Sequence, residues 1–325
     1  MAKILLGVTG SIAAYRACDI ARELMREGHP VQAVLTRAPI LIAPAMNPAM
    51  WSHPATQAHV ETLRARSVAF VEPAYGVMAC GDEGWGKLAD TPTIVQAVEQ
   101  RVRRANDLKG VHVLITAGPT HEPIDPVRFV GNRSSGKMGY ALAEAALAHG
   151  ATITLITGPT TLTPPAGATV IRVQTAQQMY EAVQAHFDAC NVFIAAAAVA
   201  DYRPERALPR KRKRTGEAWT LRLMPNPDIL ASVAARKGDR FVVGFAAETD
   251  KALQHARVKL SGKNLDLIAV NNVLEPGSGF EVDTNRLTLL YADGRIEELP
   301  LMSKRACAER IIEVVTEHLH QGQGG

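Results

Sequence analysis

The chain has 325 residues, 47% of them hydrophobic and 21% charged, and its 36 Lys and Arg against 32 Asp and Glu give a formal net charge of +4. This composition is typical of a globular protein and excludes a disordered, collagen-like or coiled-coil chain. The small positive charge is compatible with phosphorylated ligands and does not require a nucleic acid. No segment approaches the roughly 18 consecutive apolar residues of a membrane span.

The four cysteines, Cys18, Cys80, Cys190 and Cys307, are far apart and form no C-x-x-C pair. The sequence therefore predicts neither a zinc site nor a disulfide framework, and a reducing cytoplasm is the expected compartment. The apolar start of the chain is followed at once by polar residues, so we expect a strand there rather than a signal peptide.

Two strand–glycine loop–helix openings divide the chain, as βαβ units require. The first has a strand over 4–8, a loop at Thr9-Gly10-Ser11 and a helix ending near Glu27. The second has a strand over 111–116, a long loop and a helix over 137–149. A helix over 93–108 separates them, and we predict domains of residues 1–108 and 109–325.

The second domain continues with alternating strands and helices. Strands are predicted over 152–157, 192–198, 240–244 and 267–271, helices over 176–189, 228–235, 250–260 and 304–318, and a hairpin over 286–299. The predicted fold class is α/β, with two doubly wound parallel-sheet domains. Ligands are expected beyond the carboxyl ends of the strands.

The first domain has an irregular spacing. The apolar runs 31–36 and 40–43 both predict strands, but only Arg37, Ala38 and Pro39 separate them. A parallel crossover needs about 10–12 residues including its helix. Either the two strands form a hairpin or a piece of the usual fold is absent.

The segment Gly131–Lys137 matches the first seven positions of a P-loop, but Met138 stands where a Ser or Thr should contact magnesium. Three interpretations stay open: a P-loop, a glycine-rich helix start without a ligand, and an anion-binding loop of another kind that uses backbone N–H groups and Lys137.

The basic stretch Arg210–Arg214 is either a solvated or nucleic-acid-binding face, or a group of cations over a phosphate site. Asp201 follows a buried strand, where a ligand-binding carboxylate or a simple cap is expected. Asp228 is predicted as a helix N-cap. In the first domain, Asn47 is the one amide of an apolar loop over 44–51, and Cys80 lies in a glycine-flanked loop.

Taken together, these motifs resemble those of the bacterial bifunctional coenzyme A biosynthesis family, in which a phosphopantothenoylcysteine decarboxylase is fused to a phosphopantothenate–cysteine ligase. On the ligase side the matching segments are 116–120, 131–138, 197–202, 226–228, 244–249 and 263–266. They cover residues 109–318 almost continuously. The resemblance implies a Rossmann-like fold for this segment and a shortened flavodoxin-like fold for the first domain.

The resemblance implies a ligase that uses CTP, with Mg²⁺ on its triphosphate, to join L-cysteine to 4′-phosphopantothenate through an acyl-cytidylate. It implies that Asn132 lies at the acyl-cytidylate and that Lys211 acts on the transition-state charge. The implied CTP contacts are Ala195, Ala196, Ala197, Asp201, Lys211, Pro227, Asp228, Ile229, Leu230, Phe245, Lys259 and Lys263. The metal ligands are left unassigned, and Arg214 replaces the last lysine of the family's basic motif.

The resemblance also implies an FMN-dependent decarboxylase in the first domain. Gly10, Ser11 and Thr36 match flavin-binding positions, Asn47 matches a residue that binds the substrate carboxylate, and Cys80 matches the cysteine that supplies a proton. The family segment with the catalytic histidine and a flavin-binding strand and loop is missing between Thr36 and Ala38. We therefore predict that flavin binding and decarboxylation are impaired or absent.

The leading hypothesis is a ligase with a shortened decarboxylase domain. A second hypothesis keeps both activities, with another histidine or a neighbouring subunit completing the site. A third is a non-enzymatic protein that binds nucleotides or nucleic acid through Arg210–Arg214. The family reading predicts no nucleic-acid or membrane partner and a homo-oligomer, at least a ligase dimer.

Overall fold

The chain divides into two units, Met1–Ala105 and Asn106–Gly325, and each is described by itself. The computed structural model describes residues 17–27, 40–65, 68–78, 81–104, 106–248, 252–272, 279 and 282–321.

The first unit contains short strands and four described helices around a small apolar core. In chain order its elements are α1 (Ala17–Arg26), β1 (Leu41–Ile42), α2 (Pro48–Ser52), α3 (Pro54–Ala65), β2 (Ala69–Phe70), β3 (Ala74–Val77), β4 (Glu83–Lys87) and α4 (Thr91–Arg104). β1 pairs in parallel with β2, and β3 pairs antiparallel with β4. The buried cluster consists of Ile20, Leu24, Val71, Ala89, Ile94 and Val95.

The sequence-based expectations for this unit are partly confirmed. The first helix ends at Arg26, near the predicted Glu27, and the run 40–43 contributes β1. The apolar loop over 44–51 was expected to be irregular throughout, which is wrong for its second half because α2 begins at Pro48. A proline in the first turn and an asparagine cap favour that start. The predicted strands 4–8 and 31–36 lie outside the described residues.

The second unit is built on one large sheet. Its strands are β5 (His112–Ala117), β6 (His121–Pro123), β7 (Phe129–Gly131), β8 (Thr152–Thr157), β9 (Thr169–Arg172), β10 (Val192–Ala195), β11 (Tyr202–Pro204), β12 (Leu223–Pro225), β13 (Phe241–Glu248), β14 (Leu267–Asn272), β15 (Thr284–Asn285), β16 (Thr288–Tyr291), β17 (Ile296–Glu298) and β18 (Met302–Ser303). Its α-helices are α5 (Lys137–Ala148), α6 (Ala176–His186), α7 (Ile229–Ala234), α8 (Ala252–Gly262) and α9 (Lys304–Gln321).

Eight strands form the sheet in the order β17-β16-β14-β13-β10-β5-β8-β9. The six from β14 to β9 run parallel, whereas β16 and β17 are antiparallel at one edge, so the sheet is mixed rather than purely parallel. The pairs β6–β7 and β11–β12 form antiparallel ribbons outside it. Within the described ranges, none of the helices combines the length and apolar character needed to cross a membrane.

Helices cover both faces of this sheet. Successive side chains of a strand point to opposite faces, so neighbouring residues of one strand pack against different helices. Val113 and Ile115 belong to a cluster that includes residues of α5 and α9. The intervening Leu114 belongs to a second cluster, which includes residues of α6, α7 and α8. The continuous apolar runs of the central strands are therefore explained by burial on both sides.

Most predicted elements of this unit are confirmed, including the C-terminal hairpin. The helix expected over 176–189 ends at His186 and continues as a 3₁₀ turn. The strand expected over 192–198 ends at Ala195. The helix expected over 93–108 is α4 of the first unit and ends at Arg104. Leu108 belongs to the second unit instead, where it is buried and its backbone N–H donates to the carbonyl of His149 at 2.8 Å. The strands β6, β7, β9, β11, β12, β15 and β18 were not predicted.

Candidate functional site

Loops at the carboxyl edge of the large sheet approach each other closely in the second unit. A Cβ on Gly158, after β8, would lie 1.6 Å from the carbonyl oxygen of Pro119, after β5. A Cβ on Gly136, which begins α5, would lie 3.4 Å from the Cα of Gly118. Gly118 and Gly136 have φ values of 74° and 79°, which favour glycine. Glycine is therefore needed for these loops to meet.

The alanines that follow β10 are fixed by backbone contacts with the loop after β5. The N–H of Ala196 donates to the Thr116 carbonyl at 3.2 Å, and that of Ala198 donates to the Gly118 carbonyl at 2.9 Å. The N–H of Ala197 donates to the Thr116 hydroxyl at 3.4 Å. Ala195, Ala196 and Ala197 are half-buried at this edge. Three successive N–H groups of this segment are thus held by the loop after β5.

Asn132 connects this alanine segment to the glycine-rich loop. It follows β7 directly, is exposed, and its amide nitrogen donates to the Val199 carbonyl at 2.8 Å. The loop then enters α5 at Gly136, and that helix begins without a side-chain cap. The first N–H groups of an α-helix have no intrahelical partner and favour anions. The geometry is compatible with the anion-binding interpretation of this loop.

Lys137, also part of that interpretation, is paired with a carboxylate. Its ammonium lies 2.6 Å from Oδ1 of Asp283. The hydrogen bond from Lys137 and its positive charge hold the pKa of the Asp283 carboxyl below its ordinary value. Lys137 therefore contacts an anionic group of the protein itself at the start of α5.

Asp201 and Asn226 connect two loops at the same edge. The backbone N–H of Asn226 donates to the Asp201 carbonyl, and its side-chain amide donates to the Ala200 carbonyl, both at 2.8 Å. Arg203 donates to the Asn226 side-chain oxygen at 3.0 Å. The Asp201 side chain itself is exposed. The carboxylate predicted at a strand end thus stands at the surface beside an ordered turn.

Asp228 caps α7, as predicted, and also forms an ion pair. Its Oδ1 accepts from the N–H of Ala231 at 2.9 Å, and its Oδ2 lies 2.7 Å from the ammonium of Lys263. Burial acts to raise the pKa of the Asp228 carboxyl, but these two partners outweigh it and hold the pKa below its ordinary value. Two predicted CTP contacts therefore contact each other.

The remaining predicted ligand residues differ in how accessible they are. Ile229 is buried in the core, whereas Pro227, Leu230 and Phe245 are half-buried. Lys259 is exposed on α8, one turn before Lys263. Of this group, Ile229 can offer a ligand only its backbone, because its side chain packs inside the protein.

Lys211 lies in the exposed connection between β11 and β12. This connection contains the whole basic stretch, and the guanidinium of Arg212 stacks over the Trp219 ring with its carbon 4.6 Å from the ring centroid. The stretch is thus part of an ordered hairpin connection. Sequence reasoning did not predict the strands on either side of it.

In the first unit, Asn47 has two partners. Its Oδ1 accepts from the N–H of Ala49 at 2.8 Å and so caps α2, and its amide nitrogen donates to the Asp82 carboxylate. Asp82 was missed by sequence reasoning, and its place two residues after Cys80 was the only indication of it. The N–H of Met46 donates to the Gly86 carbonyl at 2.9 Å, which joins this loop to β4.

The other predicted residues of the first domain, Gly10, Ser11, Thr36 and Cys80, lie outside the described residues. Across the described ranges of the chain, no group of three or more His, Cys, Asp or Glu side chains could hold a metal ion.

Two family models match the chain. A flavoprotein model matches residues 1–39 and 37–103, and the model of the DNA/pantothenate metabolism flavoprotein C-terminal domain matches residues 108–319. Curated relatives named coenzyme A biosynthesis bifunctional protein CoaBC align over most of the chain. The chain belongs to the CoaBC family.

The CoaBC protein of Bacillus subtilis is 45% identical over 281 residues, which cover 86% of this chain and 69% of the relative. The CoaBC protein of Vibrio parahaemolyticus is 38% identical over an alignment of 392 residues, which covers 97% of this chain and 98% of the relative. The crystal structure of the C-terminal domain of a CoaBC protein is 40% identical with a TM-score of 0.58, and it covers 66% of this chain and 99% of that domain.

CoaBC proteins are enzymes of coenzyme A biosynthesis with ligase and decarboxylase activities, and the ligase activity corresponds to the segment 108–319. The predicted family, α/β fold class and coenzyme A function are thereby confirmed. The flavoprotein match implies FMN as the cofactor of the CoaBC first domain. The assigned roles of single residues stay predictions.

Proposed function

We propose that the second unit ligates L-cysteine to 4′-phosphopantothenate with CTP at the carboxyl edge of its sheet. The observation that carries this proposal is the hydrogen bond of Asn132 to the Val199 carbonyl, at 2.8 Å. It joins the loop 131–137 to the segment after β10, and two of the matching family motifs thus lie next to each other.

The reaction has two steps. The carboxylate of 4′-phosphopantothenate attacks the α-phosphorus of CTP, the bond to the β-phosphate breaks, and pyrophosphate leaves with the electron pair. The amine of cysteine then attacks the acyl carbon, CMP leaves, and the amine loses a proton. Asn132 binds the acyl-cytidylate in an orientation fixed by Val199, and Lys211 stabilises the negative charge that develops on the phosphate.

The CTP contacts that we propose are the residues that the family resemblance implies. They lie at the end of β10, at Asp201 and Lys211, at the start of α7, on β13, and at the end of α8. Lys263 reaches the triphosphate by exchanging the Asp228 carboxylate for a phosphate oxygen, since the pair lies at this edge. Mg²⁺ would accompany the triphosphate and would neutralise part of its negative charge. Its protein ligands are left unassigned.

The test of the ligase is pyrophosphate release from CTP, measured with and without 4′-phosphopantothenate. We expect release only when both are present, and a Lys211→Gln variant about 10²–10³-fold slower. Arg206→Gln is the matched control, because Arg206 is an exposed cation of the same connection without an assigned role. Release that does not need 4′-phosphopantothenate, or a Lys211→Gln variant as fast as the wild type, contradicts the proposal.

We further propose that the first unit lacks an internal family segment near residue 37, and with it flavin-dependent decarboxylation. Three observations support this. Only residues 37–39 separate two predicted strands, the flavoprotein model matches two pieces that meet at residues 37–39, and the Vibrio alignment is 392 residues long for a chain of 325. Gly10, Ser11 and Thr36 lie outside the described residues, so no flavin geometry is derived.

The visible absorbance spectrum of the purified protein tests this second proposal, together with carbon dioxide release from phosphopantothenoylcysteine. We expect no flavin band and no release in a preparation whose ligase activity shows that it is folded. A flavin band with carbon dioxide release would instead favour the hypothesis that both activities are retained.

We also propose that the ligase unit works as a homodimer. Apolar side chains stand exposed on both ribbons: Val127 at 59%, Phe129 at 53%, Tyr202 at 54% and Leu223 at 42%. Exposed apolar groups of this kind mark association surfaces. Light scattering is expected to give at least twice the chain mass, and a monomer at the assay concentration contradicts it.

A further inference from the structure

A charged side chain is fully enclosed at the turn between β6 and β7. Asp125 has none of its side chain exposed, although it lies in a hairpin turn, where carboxylates usually face water. Buried charges are found where they are paired and hydrogen-bonded. The partners of Asp125 therefore indicate why a carboxylate is present at this position.

The two oxygens of Asp125 contact different parts of the chain. Oδ1 accepts from the N–H groups of Val127 at 2.8 Å and Arg128 at 3.0 Å, which closes its own turn. Oδ2 accepts from the N–H of Arg212 at 3.3 Å and lies 3.6 Å from the Arg128 guanidinium. That guanidinium also donates to the Arg212 carbonyl at 2.9 Å. Both backbone groups of Arg212 are thus held by one turn.

A third contact attaches the same connection to the turn. The N–H of Leu208 donates to the Ile124 carbonyl at 2.8 Å. The connection between β11 and β12 is therefore attached at two points, on either side of Arg210, and Lys211 directly precedes the second point.

The same turn also leads to Asn132. β7 begins at Phe129, one residue after Arg128, and ends at Gly131. We infer that Asp125 is a positioning residue for ligation: it holds the backbone next to Lys211 on the hairpin that ends at Asn132, and so sets the distance between the two groups. This inference rests on the proposed function, because it takes the roles of Asn132 and Lys211 from there.

The carboxylate is ionised at neutral pH. Burial acts to raise the pKa of Asp125, but the N–H groups of Val127, Arg212 and Arg128 and the Arg128 charge outweigh it and hold the pKa below its ordinary value. Both oxygens are then acceptors. An amide of the same shape has one acceptor and one donor group, so it can keep either the turn or the contact with Arg212.

The variant that tests the inference is Asp125→Asn. We expect its kcat for ligation to fall about 10–100-fold with a KM for CTP within twofold of the wild type, because a displacement on the order of 1 Å costs that much in rate. Trypsin is expected to cleave within 210–214 faster than in the wild type. Glu205→Gln is the matched control, since Glu205 is an exposed carboxylate of the same ribbon, paired with Arg222 at 3.3 Å.

The double variant with Lys211→Gln shows whether Asp125 acts through Lys211. We expect that Asp125→Asn has almost no further effect in the Lys211→Gln background. Multiplying effects, or a folded Asp125→Asn variant with wild-type kcat, overturn the inference. If Asp125→Asn does not fold, Arg212→Pro replaces it, because proline removes the Arg212 N–H that donates to Oδ2 of Asp125 and leaves the hydrogen bonds to Oδ1 in place. Wild-type kcat in that variant also overturns the inference.

Failure of the proposed function gives a different result. A Lys211→Gln variant with wild-type rate removes the catalytic role on which the inference rests. A slow Lys211→Gln variant beside a normal Asp125→Asn variant contradicts only the positioning role.

Discussion

Gly139 lies in the first turns of α5, directly against β5, and Gly139→Ala is expected to impair catalysis more than stability. A Cβ at this position would lie 2.5 Å from the Cβ and 3.1 Å from the Cα of Ala117. Since carbon atoms in contact are about 3.5–4.0 Å apart, α5 must move away by roughly 1 Å. Overpacking costs about 1–3 kcal/mol, and the better helix propensity of alanine returns about 1 kcal/mol.

We therefore expect the free energy of unfolding to fall by about 1 kcal/mol and Tm by roughly 2–4 °C. The rate of pyrophosphate release is expected to fall by about 10²-fold, since the start of α5 and the loop with Asn132 move together. Thermal unfolding and the release assay measure the two effects. Gly262→Ala is the stability control, because nothing lies within 4 Å of its new Cβ. A Gly139→Ala variant with wild-type Tm and rate would refute this reasoning.

Three further predictions concern ionisable groups. Burial and a hydrogen bond to Glu297 raise the pKa of Tyr291 to about 12. The contribution of this group to the free energy of unfolding is therefore complete below about pH 10, the ordinary tyrosine pKa, and is lost as the pH rises towards the folded value. Tyr291→Phe should remove this pH dependence, measured by denaturation at several pH values. Burial raises the pKa of the Cys190 and Cys307 thiols to about 11. In a Cys18→Ser, Cys80→Ser background we expect no reaction with Ellman's reagent at neutral pH until denaturant is added, and prompt labelling of the folded protein would show the burial to be wrong. Asp228→Ala is expected to lower the free energy of unfolding by about 0.5–2 kcal/mol at pH 7, because the helix cap is lost. Since the folded pKa of Asp228 is lowered, this difference in free energy should shrink as the pH falls below about 4. A difference that does not change with pH would contradict the ion pair.

The central sheet of the second unit could be predicted because its strands are continuous apolar runs buried on both faces. Val113, Leu114 and Ile115 belong to different clusters on the two sides, so each residue of the run has a reason to be apolar. The strand over 152–157 is found with the predicted bounds. Periodicity and turn residues were sufficient there.

The ribbons were not predicted because their strands are three residues long and carry little periodicity. β7 contains exposed Phe129 and β12 consists of exposed residues only, so burial leaves no alternating pattern to detect. Arg212, which donates to Asp125, lies 87 positions further along the chain, and no local pattern can indicate such a contact. The Asp228 cap, by contrast, follows from local sequence alone.

Each of the two units has a buried core of its own. Among the described residues, the cluster of the first unit shares no member with the two clusters of the second. Cooperative unfolding spreads through shared buried contacts, so the members of one core are expected to unfold together. We expect the calorimetric trace to show two transitions, one for each core, and a single transition would contradict this expectation.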